Sequence, residues 1–299
     1  MNMNTTPSES IHVDIRGLRY HVRRWGADDA PRLFLLHGWW DMSASFQFVA
    51  QIMADRWQVL APDWRGCGLS QWSESGAYWF NDYLGDLHCL LRHFEPQQPA
   101  RIVGHSMGFN VASVYAGLRP ERVERLANLD CYGFREVVPG ETWKRLGNWL
   151  QTLDVPGERK RFTDTRTFAS LLQRKSGRLP DERALFFASH LTEPAPDGGV
   201  QLRGDPALRD PARLFIYNGF LDIGEAMDCW RHVAAPVLWV EAEQSELRAQ
   251  IGADASKMQA RKSCFARLQE VAIPDAGHMV HQEQPDKTAQ LLSEFFTHS

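Results

Sequence analysis

The strongest chemical signal in the sequence is the pentapeptide Gly-His-Ser-Met-Gly at positions 104–108. An apolar run at 101–103 precedes it and a helix-compatible run at 110–118 follows, which places the serine on a sharp turn between strand and helix. Small residues are needed at both ends of such a turn, and the turn exposes the serine hydroxyl. The pattern predicts that Ser106 is a nucleophile and that the backbone N–H of Met107 faces a developing oxyanion.

A second signal, His37-Gly38-Trp39-Trp40, comes directly after the apolar run at 33–36. Glycine at position 38 lets the chain turn so that the backbone N–H of Trp39 points at the same oxyanion. A plain strand-end turn with a structural His37 is the simpler interpretation, but the position ahead of the Ser106 turn favours a functional one. We therefore expect Trp39 and Met107 to form an oxyanion hole.

A serine nucleophile needs a base, and histidine is the side chain with an unperturbed pKa of about 6.5. The segment 275–281 reads Asp-Ala-Gly-His-Met-Val-His and follows the last apolar run of the chain. The order nucleophile, acid, histidine is typical of α/β sheets that carry a Gly-x-Ser-x-Gly turn. We expect His278 to be the base, with His281 as the alternative.

Short apolar runs that alternate with longer helical patterns predict an α/β fold, with a mostly parallel sheet flanked by helices. We expect eight strands, of which 11–16 and 19–25 form an antiparallel hairpin and 33–36, 58–61, 101–104, 126–130, 237–241 and 268–273 are buried. Helices are expected at 44–55, 79–94, 107–118 and 285–297.

The alternation stops after residue 133, where the pattern becomes helical and strongly charged. We expect a helical cap at 134–218, inserted after the sixth strand, and a core formed by 1–133 and 219–299. No buried strand is expected in the insertion, which a Pro- and Gly-rich loop at 193–205 ends. Aromatic residues predict a largely apolar substrate pocket that includes Trp40, Trp143 and Phe186. Aromatics at helical spacing are more often packing residues than substrate contacts, so packing within the cap is the competing interpretation.

The composition excludes several classes of partner. With 33 Lys and Arg against 37 Asp and Glu, the net charge is −4, and we expect neither a nucleic-acid nor a membrane partner. No apolar run reaches the roughly 18 residues of a membrane span, and the first ten residues lack a secretion signal, so we expect a cytoplasmic protein. Five scattered cysteines predict reduced thiols. No motif for a nucleotide or a metal is present, so no cofactor and no metal are expected, and the oligomeric state stays unknown.

Together with the loop at 63–70 (DWRGCGLS), these motifs resemble the α/β-hydrolase superfamily over residues 11–297. The insertion lies where that superfamily places its cap. More narrowly, the segments 37–41, 45–46 and 171–174 resemble the serine hydrolase-like proteins. We interpret the loop 63–70 as scaffold beside the site, with Asp63 and Arg65 as a candidate ion pair.

The sequence departs from the superfamily at the acid that orients the histidine. Many members carry Gly-x-x-Asp after the strand that corresponds to 237–240, whereas 242–245 reads Ala-Glu-Gln-Ser here. A carboxylate is still needed to hold the imidazole. Asp130, at the end of the strand after Ser106, is the first candidate, because similar haloalkane dehalogenases can place their acid there. Glu243 or Glu246 is the second, and a dyad without an acid is the third.

The resemblance implies a cofactor-independent serine hydrolase that cleaves a small-molecule ester or acyl substrate through an acyl-enzyme. Serine rather than aspartate at position 106 disfavours epoxide hydrolase and haloalkane dehalogenase chemistry. The same triad supports hydrolysis of a C–C bond in a diketone or dienoate. The missing acid after residue 240 leaves a catalytically silent ligand-binding homologue as a further alternative.

Overall fold

Eleven strands and eleven helices make up the described part of the chain, which a computed structural model gives for residues 7–76, 78–136, 140–154, 157–209 and 222–297. The strands are β1 (Glu9–Ile15), β2 (Leu18–Trp25), β3 (Arg32–Leu36), β4 (Gln58–Pro62), β5 (Ala100–His105), β6 (Val123–Leu129), β7 (Arg161–Phe162), β8 (Thr192–Pro194), β9 (Val200–Leu202), β10 (Val237–Ala242) and β11 (Leu268–Ile273).

The helices are α1 (Gln47–Met53), α2 (Phe80–Phe94), α3 (Met107–Leu118), α4 (Thr142–Leu153), α5 (Thr165–Ser176), α6 (Asp181–Leu191), α7 (Ile223–Trp230), α8 (Leu247–Gln250), α9 (Ala255–Lys262), α10 (Val280–Glu283) and α11 (Pro285–Thr297). Short 3₁₀ turns occur at Ser43–Phe46, Pro120–Arg122 and Pro206–Arg209. The first of these occupies the start of the helix expected at 44–55.

One large sheet has the strand order β1-β2-β4-β3-β5-β6-β10-β11. Strand β2 pairs antiparallel with β1 and β4, and all other neighbours are parallel. This confirms the predicted mostly parallel sheet of eight strands. Because the carboxyl ends of parallel strands meet at one edge, the residues that follow β3, β5, β6, β10 and β11 lie near one another.

Helices cover both faces of the sheet. On one face a large apolar cluster joins Phe109 of α3 and Trp230 of α7 to Trp239 of β10. On the other face Val49 of α1 and Trp57, just before β4, pack with Phe296 of α11. Both clusters are almost fully buried, so the edge that carries the candidate site rests on a packed scaffold.

Between β6 and α7 the chain forms helices α4, α5 and α6 together with a small antiparallel sheet of order β7-β9-β8. The expectation that this segment has no buried strand was wrong for β9, in which Gln201 and Leu202 are buried. The hairpin β8-β9 occupies part of the loop expected at 193–205. These strands have two or three residues each, too short for a period-two pattern to be recognised. The expected boundary at 218 lies outside the described residues.

The inserted helices are anchored on the core through aromatic contacts. Phe186 and Phe187 of α6 both pack edge-on against Phe48 of α1, with ring centroids 5.3 and 5.6 Å apart. The guanidinium of Arg183 lies over the same Phe48 ring. Helix α6 is therefore fixed above the edge of the sheet at which the parallel strands end.

Among the helices of the described ranges, none combines the length and the hydropathy that a bilayer crossing requires. All five cysteines lie in the described ranges and are free thiols. Burial raises the pKa of the Cys131 thiol to about 12.

Candidate active site

Ser106 occupies the turn between β5 and α3 with φ +51° and ψ −118°, a backbone conformation that a residue with a side chain rarely adopts. The flanking glycines are required by close packing. A Cβ on Gly104 would lie 2.4 Å from Phe109 Cα, and one on Gly108 would lie 2.1 Å from the carbonyl oxygen of Leu36. The turn therefore exists in this form only because both positions lack a side chain.

The turn after β3 is held by His37. Its Nε2 accepts the backbone N–H of Trp64 at 2.9 Å, so its Nδ1 carries the proton and donates to the carbonyl of Gly38 at 2.7 Å. Burial lowers the pKa of His37 and keeps the ring neutral. A Cβ on Gly38 would be 3.1 Å from Ser106 Cβ, so only glycine lets this turn, and with it the backbone of Trp39, approach the serine.

The structure brings Asp130 and His278 together. Nδ1 of His278 lies 2.8 Å from Oδ2 of Asp130, which is fully buried directly after β6 and has φ +50°. Glu243 and Glu246 are both exposed after β10, and within the described ranges neither makes a hydrogen bond or an ion pair with His278. Of the three sequence alternatives for the acid, Asp130 is the one that contacts the imidazole.

Asp130 accepts three further hydrogen bonds. The backbone N–H of Ala242 (2.9 Å) and the hydroxyl of Tyr132 (2.7 Å) donate to Oδ1, and the hydroxyl of Ser245 (2.5 Å) donates to Oδ2. Burial and the charge of Asp130 raise the pKa of Tyr132, which stays a donor. Four donors therefore fix the carboxylate. Neither Tyr132 nor Ser245 was among the residues expected at this site.

A row of three histidine rings extends from the site into the core. His105 lies between His278 and His281, with ring centroids 4.7 and 4.4 Å away. Its Nε2 donates to the backbone carbonyl of His278 at 2.8 Å. Burial and the neighbouring His281 and His278 hold the pKa of His105 well below its usual value. His281, the alternative base, is fully buried, and its Nε2 contacts Ser45 Oγ at 3.2 Å.

Ser106 and His278 line one cavity of about 540 Å³. Trp39 and Trp40 lie on its wall, but so do the charged side chains of Lys175 and Glu246. The expected apolar pocket is therefore a mixed one, with apolar, polar and charged side chains on its wall.

The structure places Trp143 and Phe186 away from this wall. The side chain of Trp143 on α4 is 71% exposed, because the apolar stripe of that helix faces solvent. Phe186 faces Phe48 and the ring of His190, 4.4 Å away. The helical spacing of these aromatic residues did not indicate which neighbours each side chain would contact.

Glu283 joins the inserted helices to the loop that carries His278. Its carboxylate accepts the backbone N–H of Gly277 at 2.7 Å and the hydroxyl of Ser176, at the end of α5, at 2.8 Å. Arg178 lies 3.7 Å from the same carboxylate. One side chain thus fixes both the roof of the cavity and the residue before His278.

The loop 63–70 is scaffold, although its charges do not pair as expected. Asp63 accepts from His21 Nδ1 at 2.7 Å and from the backbone of Ser43, while Arg65 makes a two-point ion pair with Asp86 at 2.6 and 2.7 Å. Burial alone would raise the pKa of Asp63, but the hydrogen bond and charge of His21 outweigh it and hold this pKa well below the usual range.

Comparisons with known proteins find relatives that match most of the chain. The chain is 27% identical to a serine hydrolase-like protein of Danio rerio, over 91% of this chain and 83% of that protein. It is also 27% identical to 2-(acetamidomethylene)succinate hydrolase of Mesorhizobium japonicum, over 96% of this chain and 94% of that protein. The solved thioesterase domain from the curacin biosynthetic pathway superposes with a TM-score of 0.85 at 23% identity, covering 96% of this chain and 99% of that one, which shows the shared fold.

The family model described as the alpha/beta hydrolase fold matches residues 31–285. That range contains the turn after β3, the Ser106 turn, Asp130 and the loop of His278. The chain therefore belongs to the α/β-hydrolase fold family.

Proposed function

We propose that this protein is a cofactor-independent serine hydrolase that cleaves a small-molecule carboxylic ester or related acyl compound through an acyl-enzyme on Ser106. The observation that supports it most directly is the 2.8 Å contact between His278 Nδ1 and the buried carboxylate of Asp130, with His278 and Ser106 on the wall of one cavity. An imidazole held in this way keeps its Nε2 lone pair for a proton.

In the first step Ser106 Oγ attacks the carbonyl carbon and His278 Nε2 accepts the hydroxyl proton, a transfer that requires Nε2 to come within about 2.6–3.2 Å of Oγ. The carbonyl oxygen becomes an anion, and the backbone N–H groups of Met107 and Trp39 stabilise it. The positive end of the α3 dipole lies beside the same oxygen.

In the second step the C–O bond to the leaving group breaks, and the proton on His278 Nε2 passes to the departing oxygen. Ser106 is then an ester of the acyl group. Water enters, loses a proton to His278 and attacks the acyl carbon, after which Ser106 leaves with that proton and the acid is released.

Asp130 acts through His278 in both steps. Its charge stabilises the imidazolium that forms when Nε2 takes the proton. Ala242, Tyr132 and Ser245 all donate to the carboxylate, so it is held although no Lys or Arg of the described ranges pairs with it, and it remains an acceptor for Nδ1.

The decisive experiment replaces Ser106 by alanine and measures hydrolysis of p-nitrophenyl acetate. Turnover should fall by about three orders of magnitude or more. A fluorophosphonate probe should label the parent at Ser106, and Ser189→Ala, on the exposed side of α6, is the matched control that should behave as the parent. Full turnover by Ser106→Ala would refute the assignment, and an unlabelled parent would favour a silent binding protein.

A second candidate is hydrolysis of a C–C bond in a diketone or dienoate, which the same three side chains can support. The mixed wall favours it, because Lys175 on that wall has no acidic partner within the described ranges and suits a substrate that carries a carboxylate. The relative from Mesorhizobium japonicum is named for a succinate derivative. Rates on a panel of esters, β-diketones and dienoates, with and without a carboxylate, would separate the two candidates.

A further inference from the structure

Three buried side chains beside the proposed nucleophile form a set that could hold a metal. Asp41, His105 and His281 each offer one donor atom, and these atoms lie within 4.8 Å of one another. All three side chains are at least nine-tenths buried. They come from the turn after β3, the residue before Ser106 and helix α10, so no sequence spacing could reveal the cluster.

The hydrogen bonds fix which ring nitrogen of His105 has a free lone pair. Its Nε2 donates to the carbonyl of His278, so in a neutral ring Nδ1 carries no proton. Among the described residues Nδ1 has no hydrogen-bond partner. A Cβ on Gly38 would be 2.9 Å from Nδ1, which shows that this atom faces the turn that leads to Asp41.

His281 also has one ring nitrogen with a free lone pair. The hydroxyl of Ser45 donates to Asp41 Oδ2 at 2.8 Å, so His281 Nε2, 3.2 Å from Ser45 Oγ, is the donor in their contact. Its Nδ1 then has the lone pair and lacks a partner in the described ranges, while its Nε2–H lies 3.6 Å from Asp41 Oδ2, a contact that metal binding must replace. Two buried imidazole nitrogens without a partner are costly unless something binds them.

We propose that Asp41, His105 and His281 bind a transition-metal ion, for which Zn²⁺ is the reference, and that the bound ion inhibits the hydrolase. Two imidazoles and one carboxylate are a common set of zinc ligands that leaves a fourth position open. The N–H···O=C bond from His105 to His278 is the kind of outer contact that orients a metal-binding histidine.

The distances between the donor atoms show how far the three side chains must move to bind an ion. Zinc bonds of about 2.0–2.2 Å in a tetrahedron place the ligand atoms roughly 3.4 Å apart. The donor atoms must therefore move inward by about 1 Å from their present limit of 4.8 Å. Asp41 and His105 both line the cavity of Ser106, which gives the ion a route of entry.

Inhibition follows from the contact between His105 and His278. When the ion draws His105 inward, the hydrogen bond to the His278 carbonyl lengthens and the base leaves its position opposite Ser106. Displacements of about 1 Å are enough to cost orders of magnitude in rate. This consequence rests on the proposed function, whereas binding itself does not.

Binding is tested by titrating chelator-treated full-length protein with Zn²⁺ in a calorimeter. One ion per chain is expected, and Co²⁺ bound instead should give the intense visible absorption of a tetrahedral site. Asp41→Asn, which keeps an acceptor for Ser45, and His281→Gln should each weaken Zn²⁺ binding at least about tenfold. His93→Gln, an exposed histidine on α2, is the matched control and should bind as the parent does.

The variant His278→Ala distinguishes this cluster from the proposed triad, because the triad could also hold a metal. Retained affinity in His278→Ala supports the Asp41 cluster. Loss of binding there, or parent-like binding by both Asp41→Asn and His281→Gln, would overturn the proposal. If His281→Gln does not fold, as judged by circular dichroism, Asp41→Asn alone decides.

Inhibition is measured separately, as the initial rate of p-nitrophenyl acetate hydrolysis against buffered free Zn²⁺. The rate should fall as the site fills and recover with EDTA, and Asp41→Asn should need at least about tenfold more Zn²⁺. Stoichiometric binding with no loss of rate would refute the inhibitory role. A parent without esterase activity would refute the proposed function, while calorimetry would still decide the metal site.

Discussion

The hydroxyl of Ser245 donates to Oδ2 of Asp130 at 2.5 Å. Ser245 stands where many α/β-hydrolases carry the acid of the triad, and here its hydroxyl bonds to the carboxylate that follows the neighbouring strand. Strands β6 and β10 pair in parallel, and the N–H of Asp130 donates to the carbonyl of Val240 at 2.9 Å. The ends of the two strands are therefore close enough for either to supply a carboxylate to His278.

Asp130→Asn is expected to lower kcat/KM on a short-chain nitrophenyl ester by about two to four orders of magnitude, because Asn cannot stabilise the imidazolium. Glu243→Gln and Glu246→Gln should stay near the parent, since both side chains are exposed. Steady-state kinetics of the three variants check this. The opposite ranking would move the acid to the segment after β10.

Ser245→Asp should partly rescue Asp130→Asn, because it restores a carboxylate at the adjoining strand end. We expect the double variant to regain at least about tenfold of the lost kcat/KM. Ser245→Ala alone removes one donor from Asp130 and should cost about 1.5–3 kcal/mol of transition-state stabilisation. A double variant no faster than Asp130→Asn would show that position 245 does not reach His278.

Gly108→Ala is expected to destabilise the protein by several kcal/mol, at least about 3, because the new methyl would lie 2.1 Å from the carbonyl oxygen of Leu36. Gly147→Ala is the matched control. Gly147 lies within α4 with open space around it, so alanine should add about 0.5–1 kcal/mol. Urea unfolding measures both. Equal midpoints for the two variants would contradict the close packing of the Ser106 turn.

Acid should destabilise the fold through Asp63. Its pKa in the folded protein lies well below the value of about 3.9 in an unfolded chain, so its contribution is complete above pH 4 and is lost as the pH falls further. The stability advantage of the parent over Asp63→Asn should shrink between pH 7 and pH 3 in urea unfolding. An advantage that does not change with pH would show that the contribution of Asp63 to stability does not depend on the charge of its carboxylate.

Most parallel strands were predictable because each is a short, buried apolar run between helical patterns. The expectation that 268–273 is buried was wrong: β11 is the edge strand, and Gln269, Glu270 and Ala272 are exposed. The Ser106 turn was predictable because its glycines follow from sterics that act within a few residues. Asp130 was found only as one of several candidates, by asking which strand ends lie near His278. Only the tertiary contact between Asp130 and His278 distinguished it from the other candidates.

Other features depend on contacts that no local pattern encodes. The strands β7, β8 and β9 are too short to show alternation. The face of α4 that carries Trp143 is apolar, yet it meets solvent. His105 and Ser245 bond to partners far away in the chain, so residue type alone did not identify them. Tyr132 bonds to Asp130 two residues earlier, a contact that no recognised motif indicates.

The carboxylate of Glu283 has a mechanical consequence. Ser176 at the end of α5 and Gly277 beside His278 bond to the same group, so lifting that end of the inserted helices pulls on the peptide next to the imidazole. Opening the cavity would then displace the imidazole of His278, and reactivity would return only when α5 closes again. A chimera that replaces the inserted helices by those of another protein would accordingly need a new hydrogen-bond donor for Glu283.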